Sequence, residues 1–264
     1  MPDFTLTPDL LYFAVLFLLL LLLAREWLRH RERYDARDTL NNGVMYTGYL
    51  LIGGFWTLAL LHIYSVLWQY RLFDFGPWWL DPSSWQFWAS WGALLVLEDF
   101  CFYWFHRSSH RFGIFWASHV THHSSTHFNF STALRQSWVP FHIFIFWLPL
   151  PLIGFDPLMV ISMQLISLGY QAFLHTTAKP WWRPLEFLFN TPTHHRIHHA
   201  SNEDVIDRNF GGVLIVWDRL FGTFAREQDA REPIRFGVNP PVHSKNPLWL
   251  EFHGWIDFLR RTGA

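Results

Sequence analysis

The chain has 264 residues, of which 51% are hydrophobic, 20% aromatic and only 16% charged, with a net charge of −1. Soluble domains ordinarily carry about 25% charged residues, and nucleic-acid binders carry an excess of basic ones; this composition excludes a nucleic-acid partner and points to a protein that meets lipid. The single cysteine, Cys101, excludes an intrachain disulfide and any Cys-x-x-Cys metal or redox motif.

In chain order, the first apolar run is 10–28. No Lys or Arg precedes it, and Arg25-Glu26 stand where a cleavage site would carry small residues, so it reads as a membrane span rather than a cleaved leader. A second run, 44–69, holds no charge. The third, 85–105, is interrupted only by Glu98-Asp99, and two more, 138–155 and 158–174, flank the turn Phe155-Asp156-Pro157 and read as a helical hairpin. Arg25, Arg29, Arg31, Arg33 and Arg37 crowd the loop after the first run, whereas 70–84 holds only Arg71. The positive-inside rule then puts the first loop in the cytoplasm. Counting spans from there returns every histidine motif to that side. The expected fold is all-α: one polytopic integral membrane helical domain over 1–264, with a cytoplasmic histidine-rich helical cap formed by 106–135 and 175–224.

Twelve of the sixteen histidines fall between His106 and His199, and ten of these, all but His127 and His142, carry the pattern. They read His106-Arg-Ser-Ser-His110, His119-Val-Thr-His122-His123, a lone His175, and His194-His195-Arg-Ile-His198-His199. Residues at i, i+3 and i+4 share a helix face, and neutral imidazole is the commonest metal ligand. His106, His110, His119, His122, His123, His175, His195, His198 and His199 would fill two metal spheres of four or five nitrogens each, with His194 as a tenth ligand or a neighbour. Imidazole suits zinc, copper, iron and nickel. The absence of cysteine partners argues against structural zinc, and the absence of His-Glu-x-x-His removes the zinc-protease reading. An all-nitrogen dimetal site points towards iron and dioxygen, although ligand softness alone leaves the metal open.

Metal-bound histidines usually donate their second N–H to a carboxylate or carbonyl. Asp99 lies seven residues before His106 on the same helical stripe as Tyr103 and His110 and is the first candidate for such a catalytic-site carboxylate. Asp207 and Asp218 follow. Arg135 is expected to pair with a carboxylate or a lipid headgroup, and Gln171, one turn before His175, to hold a ligand or a water.

These segments resemble the fatty acid hydroxylase/sterol desaturase superfamily of integral-membrane di-iron enzymes. The resemblance rests on Asp99-Phe-Cys-Phe-Tyr-Trp-Phe-His106-Arg-Ser-Ser-His110, Trp116-Ala-Ser-His119-Val-Thr-His122-His123-Ser-Ser, Asn129-Phe-Ser-Thr-Ala-Leu-Arg135-Gln-Ser137, Asn190-Thr-Pro-Thr-His194-His195-Arg-Ile-His198-His199, and Asp207-Arg-Asn-Phe-Gly-Gly with Trp217-Asp218 beyond it. It covers about Leu97 to Phe224, and the last stretches look closest to the alkylglycerol monooxygenase branch. It implies two iron ions, O2-dependent oxidation of an unactivated C–H bond of a lipid, and an external electron donor. Across the branches that donor is tetrahydrobiopterin, cytochrome b5 or ferredoxin. No His-Pro-Gly-Gly segment of the b5 type is present, which implies a separate donor. The chain after Ala225 is mostly polar, unlike the further hydrophobic segments of the animal alkylglycerol enzymes. The expected activity is a monooxygenase acting on an ether lipid or on a fatty acyl or sterol-like lipid. The alternatives are a lipid or sterol desaturase and, more remotely, a membrane metal transporter or sensor, against which the placement of the clusters beyond the span ends argues.

Overall fold

A computed structural model describes residues 21, 24–141, 143–177 and 184–263. Most of the first candidate span, 10–28, lies outside the described residues. The remainder is all-helical: among the described residues there are no strands, only the isolated bridges Phe189–Leu214 and Ala200–Phe236.

The longest helix, α1 (Ala36–Trp68), starts where the Asp35 side chain accepts from Asp38 N. This bond satisfies one of the free N–H groups at the helix start. The helix has a mean hydropathy of 1.8 over its most apolar window, of which only 17% is buried. Leu51, Phe55 and Leu58 are more than two-thirds exposed. It is the one described helix that is long and apolar enough to cross a membrane.

The second long helix, α2 (Trp85–Arg111), is capped by Ser84, which accepts from Phe87 N. It continues past the third apolar run without a break, so His106 and His110 ride on the same helix as Glu98 and Asp99. The chain breaks at Phe112 and restarts as α3 (Gly113–His123), which carries His119, His122 and His123.

The stretch 138–155 departs from the expected helical arm. Only two short pieces form, α4 (Ile143–Phe146) and α5 (Pro149–Ile153). Pro140, Pro149 and Pro151 explain this, because proline offers no N–H and clashes with the preceding turn. The turn itself forms as read: Gly154 adopts φ +134, Asp156 caps, and Pro157 opens α6 (Pro157–Phe173). A Cβ on Gly154 would lie 2.3 Å from Phe73 O. One apolar core fills the space between α1, α2, α5 and α6, built on Tyr64, Leu94, Trp147, Leu150 and Met159.

The expected helical cap is mostly irregular chain. Beyond α3 it comprises the short helices α7 (Leu185–Leu188), α8 (Pro192–His198) and α9 (Val216–Leu220), joined by ordered loops. The mostly polar stretch after Ala225 ends in a further amphipathic helix, α10 (Pro247–Thr262), which packs on α3. Gly254 permits that contact: a Cβ there would meet Val120 Cγ1 at 2.4 Å and Ala117 O at 2.5 Å.

Candidate metal centre

Nine histidine side chains converge in two groups. His106, His110, His119, His123 and His198 form one; His122, His175, His195 and His199 form the other. Within each group one ring nitrogen per residue lies within 4.8 Å of all the others. The His-x-x-His-His segments do not each serve one group. On α3, His119 and His123 face the first group and His122 the second; on α8, His198 faces the first while His195 and His199 face the second. Helix geometry explains the split: successive residues turn by about 100°, so neighbours such as His122 and His123 diverge while residues four apart stay aligned. Each segment thereby ties both groups together.

Four of the nine rings are oriented by backbone carbonyls. His106 Nδ1 donates to Phe210 O at 2.9 Å, His122 Nδ1 to Arg135 O at 3.1 Å, His175 Nδ1 to Gln171 O at 2.9 Å, and His198 Nδ1 to Arg208 O at 3.0 Å. A carbonyl only accepts, so each of these rings carries its proton on Nδ1 and leaves a lone pair on Nε2. Those Nε2 atoms approach other ring nitrogens closely: His106 to His119 at 3.1 Å, His198 to His123 at 3.1 Å, and His195 to His175 at 3.1 Å. The Nε2 atoms of His110 and His199 are buried without any hydrogen-bond partner. Metal–imidazole bonds of about 2.0–2.1 Å put neighbouring ligand nitrogens roughly 3 Å apart. Converging lone pairs at that spacing, with buried unpaired nitrogens beside them, fit a bound cation in each group.

Burial also keeps the rings neutral. It pushes His175 down to about 3 and His122 to about 4, and His106, His123, His195, His198 and His199 well below the ordinary imidazole value; neighbouring histidines add to the effect in every case, and at His122 the bond to the Arg135 carbonyl opposes it. Neutral imidazole is the ligating form.

The tenth histidine, His194, joins neither group. Its ring packs on Phe224 with centroids 5.4 Å apart, and burial pushes it down to about 4.

Of the three candidate carboxylates only Asp207 does the expected work; Asp99 and Asp218 do something else. Asp99 bonds no histidine; it accepts from Val213 N at 2.5 Å, Leu214 N at 3.0 Å and Trp217 Nε1 at 2.9 Å. Asp218 accepts from Phe210 N at 2.8 Å and Gly211 N at 2.7 Å. The two buried acids therefore clamp the loop 210–214 from both sides, and that loop supplies the carbonyl that orients His106. A Cβ on Gly212 would lie 2.8 Å from Asp99 Oδ1, so the close approach requires glycine. Asp207 is the carboxylate that touches a ring, accepting from His110 Nδ1 at 2.9 Å. It reaches there from a left-handed backbone, φ +56, with Asn209 at φ +57. Asp and Asn are among the few non-glycine residues that tolerate that region.

Arg135 is 2% exposed and pairs with a carboxylate, Asp38 of α1. Its Nε donates to Asn42 Oδ1 at 2.7 Å and its Nη1 to Ser124 Oγ at 2.8 Å. This fixes the Arg135 carbonyl that holds His122. Gln171 donates to Ser167 Oγ at 3.1 Å rather than to a histidine. Sequence reasoning missed Asp38, Asn42 and Phe128; the last packs its ring 5.2 Å from His199 and 5.7 Å from His175. An aromatic beside an isolated polar loop gives no periodic signal.

Two cavities meet the centre from different sides. One of about 210 Å³ runs between α1, α2 and α6, walled by Leu60, Phe102, Phe105 and Ile161, and ends on histidines of both groups, among them His106 and His175. The other, of about 390 Å³, touches His110, His123 and His198 and is lined by charged residues including Asp207, Asp257 and Arg261.

The chain is 39% identical to human alkylglycerol monooxygenase over 236 residues, covering 87% of this chain and 49% of that protein. It is 33% identical to the alkylglycerol monooxygenase of Caenorhabditis elegans over 233 residues, 87% of this chain and 44% of that one. An ornithine lipid hydroxylase of Rhizobium tropici is 29% identical over 132 residues, 49% of this chain and 40% of that protein. The chain thus spans about half the length, or less, of these relatives. No solved structure matches it. The fatty acid hydroxylase family model matches residues 91–223, half of the chain and every histidine of both groups: this protein belongs to the fatty acid hydroxylase family.

Proposed function

We propose that this protein is a membrane-bound di-iron monooxygenase that uses O2 to hydroxylate an alkyl C–H bond of a lipid. The observation that carries this reading is the meeting of an apolar cavity, walled by long apolar helices, with two histidine groups whose lone pairs converge. His106, His110, His119, His123 and His198 would hold one iron and His122, His175, His195 and His199 the other. Bound there, the irons supply the reductive activation of dioxygen that inserts oxygen into an unactivated C–H bond. The chain's own part is to admit the alkyl segment between Phe102, Phe105 and Ile161, to exclude water there, and to hold the rings neutral and correctly turned. An ether lipid is the favoured substrate, in line with the names of the alkylglycerol monooxygenase relatives.

The layout that goes with this activity is one multi-pass membrane domain over 1–264, with spans at 10–28, 44–69, 85–105 and 158–174, the short helices of 138–155 packed among them, and the histidine groups facing the cytoplasm. The exposed apolar surfaces of α1 and α6 support it. Electrons come from a separate donor, a pterin or an electron-transfer protein, and the second cavity, which reaches His110 and His198 past Asp207, Asp257 and Arg261, offers a route for their delivery.

The test is lipid mass spectrometry on host membranes containing the wild type or His122→Ala, with oxygen and reductant supplied. A product one oxygen heavier, or loss of an ether lipid with release of an aldehyde, in wild type alone establishes the monooxygenase. A product two hydrogens lighter would replace it with a desaturase, and equal profiles for the two proteins would overturn the catalytic reading.

A further inference from the structure

The apolar cavity contains one carboxyl side chain, which the histidine groups do not use. Glu98 lies on α2, one turn before Phe102 and two turns before His106, on the face that lines the cavity. It is 1% exposed. Its Oε1 accepts from Trp147 Nε1 at 3.1 Å, while its Oε2 is buried without a hydrogen bond of normal geometry, the Ser167 hydroxyl lying near the carboxyl group. Leaving such a group unsatisfied is costly, and more so for a carboxylate than for a neutral oxygen.

The opposite wall answers it. Gln164, Ser167 and Gln171 of α6 line the same cavity at i, i+3 and i+7, one turn short of His175. Gln171 Nε2 donates to Ser167 Oγ at 3.1 Å and Gln164 Nε2 to Tyr64 OH at 3.3 Å. An otherwise apolar tunnel therefore has a polar stripe on one side and an unsatisfied acceptor on the other. A bare alkyl chain would leave both unused, and a fatty acid would bring a second carboxyl beside the first. A hydroxyl both donates and accepts, so it matches the Glu98 carboxyl and the amide and hydroxyl groups facing it; an ammonium group only donates.

We infer that Glu98 is the residue by which this cavity selects a lipid bearing a free hydroxyl group. The inference rests on the lipid-oxidising reading above and names the substrate feature that the same cavity recognises. Glu98 Oε2 accepts a hydrogen bond from the lipid hydroxyl, and the alkyl segment passes Phe102 towards His106 and His175.

Equilibrium binding to the detergent-solubilised full chain tests this without turnover. The probes are a long-chain monoalkylglycerol and its di-O-methyl counterpart, which differ only in the two hydroxyl groups. Wild type should bind the free-hydroxyl lipid about fivefold more tightly, the factor expected of one buried hydrogen bond. Glu98→Gln, of the same shape, should narrow that ratio. Glu98→Leu should erase it, with both lipids bound about as tightly as wild type binds the methylated one. Metal content equal to wild type certifies that each variant is folded, and Glu98→Gln alone decides the matter if Glu98→Leu fails that check. A wild type without preference, a wild type that binds neither lipid, or a Glu98→Gln protein with the full wild-type ratio overturns the inference. If the ratio depends on Glu98 but neither lipid is oxidised, the inference stands and the monooxygenase reading falls. If oxidation proceeds without any hydroxyl preference, the reverse holds.

Discussion

The Nε2 atoms of His122 and His175 face each other across 3.3 Å, although both rings have already given their Nδ1 protons to backbone carbonyls, those of Arg135 and Gln171. No proton is left to join them. Protonating either ring is opposed by burial, which holds the two near 4 and 3. Two lone pairs pointed at one another in a buried site repel unless a cation lies between them. The protein has thus stored an arrangement that is unfavourable alone and favourable around a metal.

Metal content should follow the two groups rather than the sequence motifs. Removing His122 or His175 strips the second group to three nitrogens, and iron in purified protein should fall from about two ions per chain towards one, with loss of activity. His194→Ala should retain both ions, since His194 stands against Phe224 outside either group. Elemental analysis of the three variants beside wild type decides it; loss of one ion from the His194 variant would make that residue a ligand.

Asp207 and Asp99 should separate into different defects. Asp207→Asn weakens the acceptor that holds His110 Nδ1, and partners of that kind typically matter about 10–100-fold in metal affinity. Chelator competition should show that loss with little change in unfolding temperature. Asp99→Asn puts an amide donor where two backbone N–H groups and the Trp217 indole need acceptors. It should lower the unfolding temperature first, by loosening the 210–214 loop, and disturb His106 only through Phe210. An Asp99→Asn protein of wild-type thermal stability would remove that clamp from the account.

The contrast between these two residues marks how far the sequence could be read. Asp99 shares a helical stripe with His106, which makes it the natural candidate for a ligand partner, yet its carboxylate turns to the loop instead. Asp207 lies 97 residues from His110 in sequence and arrives by a left-handed turn. No periodicity encodes that meeting. The nine ligand candidates and the long helices were legible because i, i+3 and i+4 spacing and uninterrupted apolar runs are local signals. The division of those nine into five and four was not, because His122 and His123 are neighbours in sequence but diverge on the helix. The failed helix in 138–155 was legible in principle from Pro140, Pro149 and Pro151; apolar content outweighed them.

Stability should depend on pH through Glu251 of α10. Burial raises its carboxyl from the ordinary 4.5 to about 7, against the opposing bonds from Ser137 Oγ and Trp138 N. The folded protein holds this proton more tightly than the unfolded chain does. Its contribution is therefore complete below about pH 4.5 and is lost as pH rises through about 7, a span worth on the order of a few kcal/mol. Thermal unfolding of wild type and Glu251→Gln between pH 5 and 8 should differ in slope: wild type loses stability relative to the variant as pH rises. Parallel curves would show that the carboxyl titrates normally.

The contact between α3 and α10 offers the last test, because it reaches the metal centre without touching a ligand. At Gly254 an added methyl would meet a side chain, Val120 Cγ1, at 2.4 Å and a backbone oxygen, Ala117 O, at 2.5 Å. The side chain can rotate away, but the carbonyl cannot move without shifting α3. Overpacking of this sort costs about 1–3 kcal/mol, so Gly254→Ala should lower the unfolding temperature. The helix it would displace is also held by Thr121 Oγ1, which donates to Leu250 O at 2.8 Å beside His122. A displaced α3 moves His119, His122 and His123 together, and through them both groups. Gly254→Ala should then lose iron from both groups in parallel, whereas His122→Ala loses it from one. A Gly254→Ala protein that is less stable yet fully loaded with iron would show that α10 supports the fold without setting the position of the ligands.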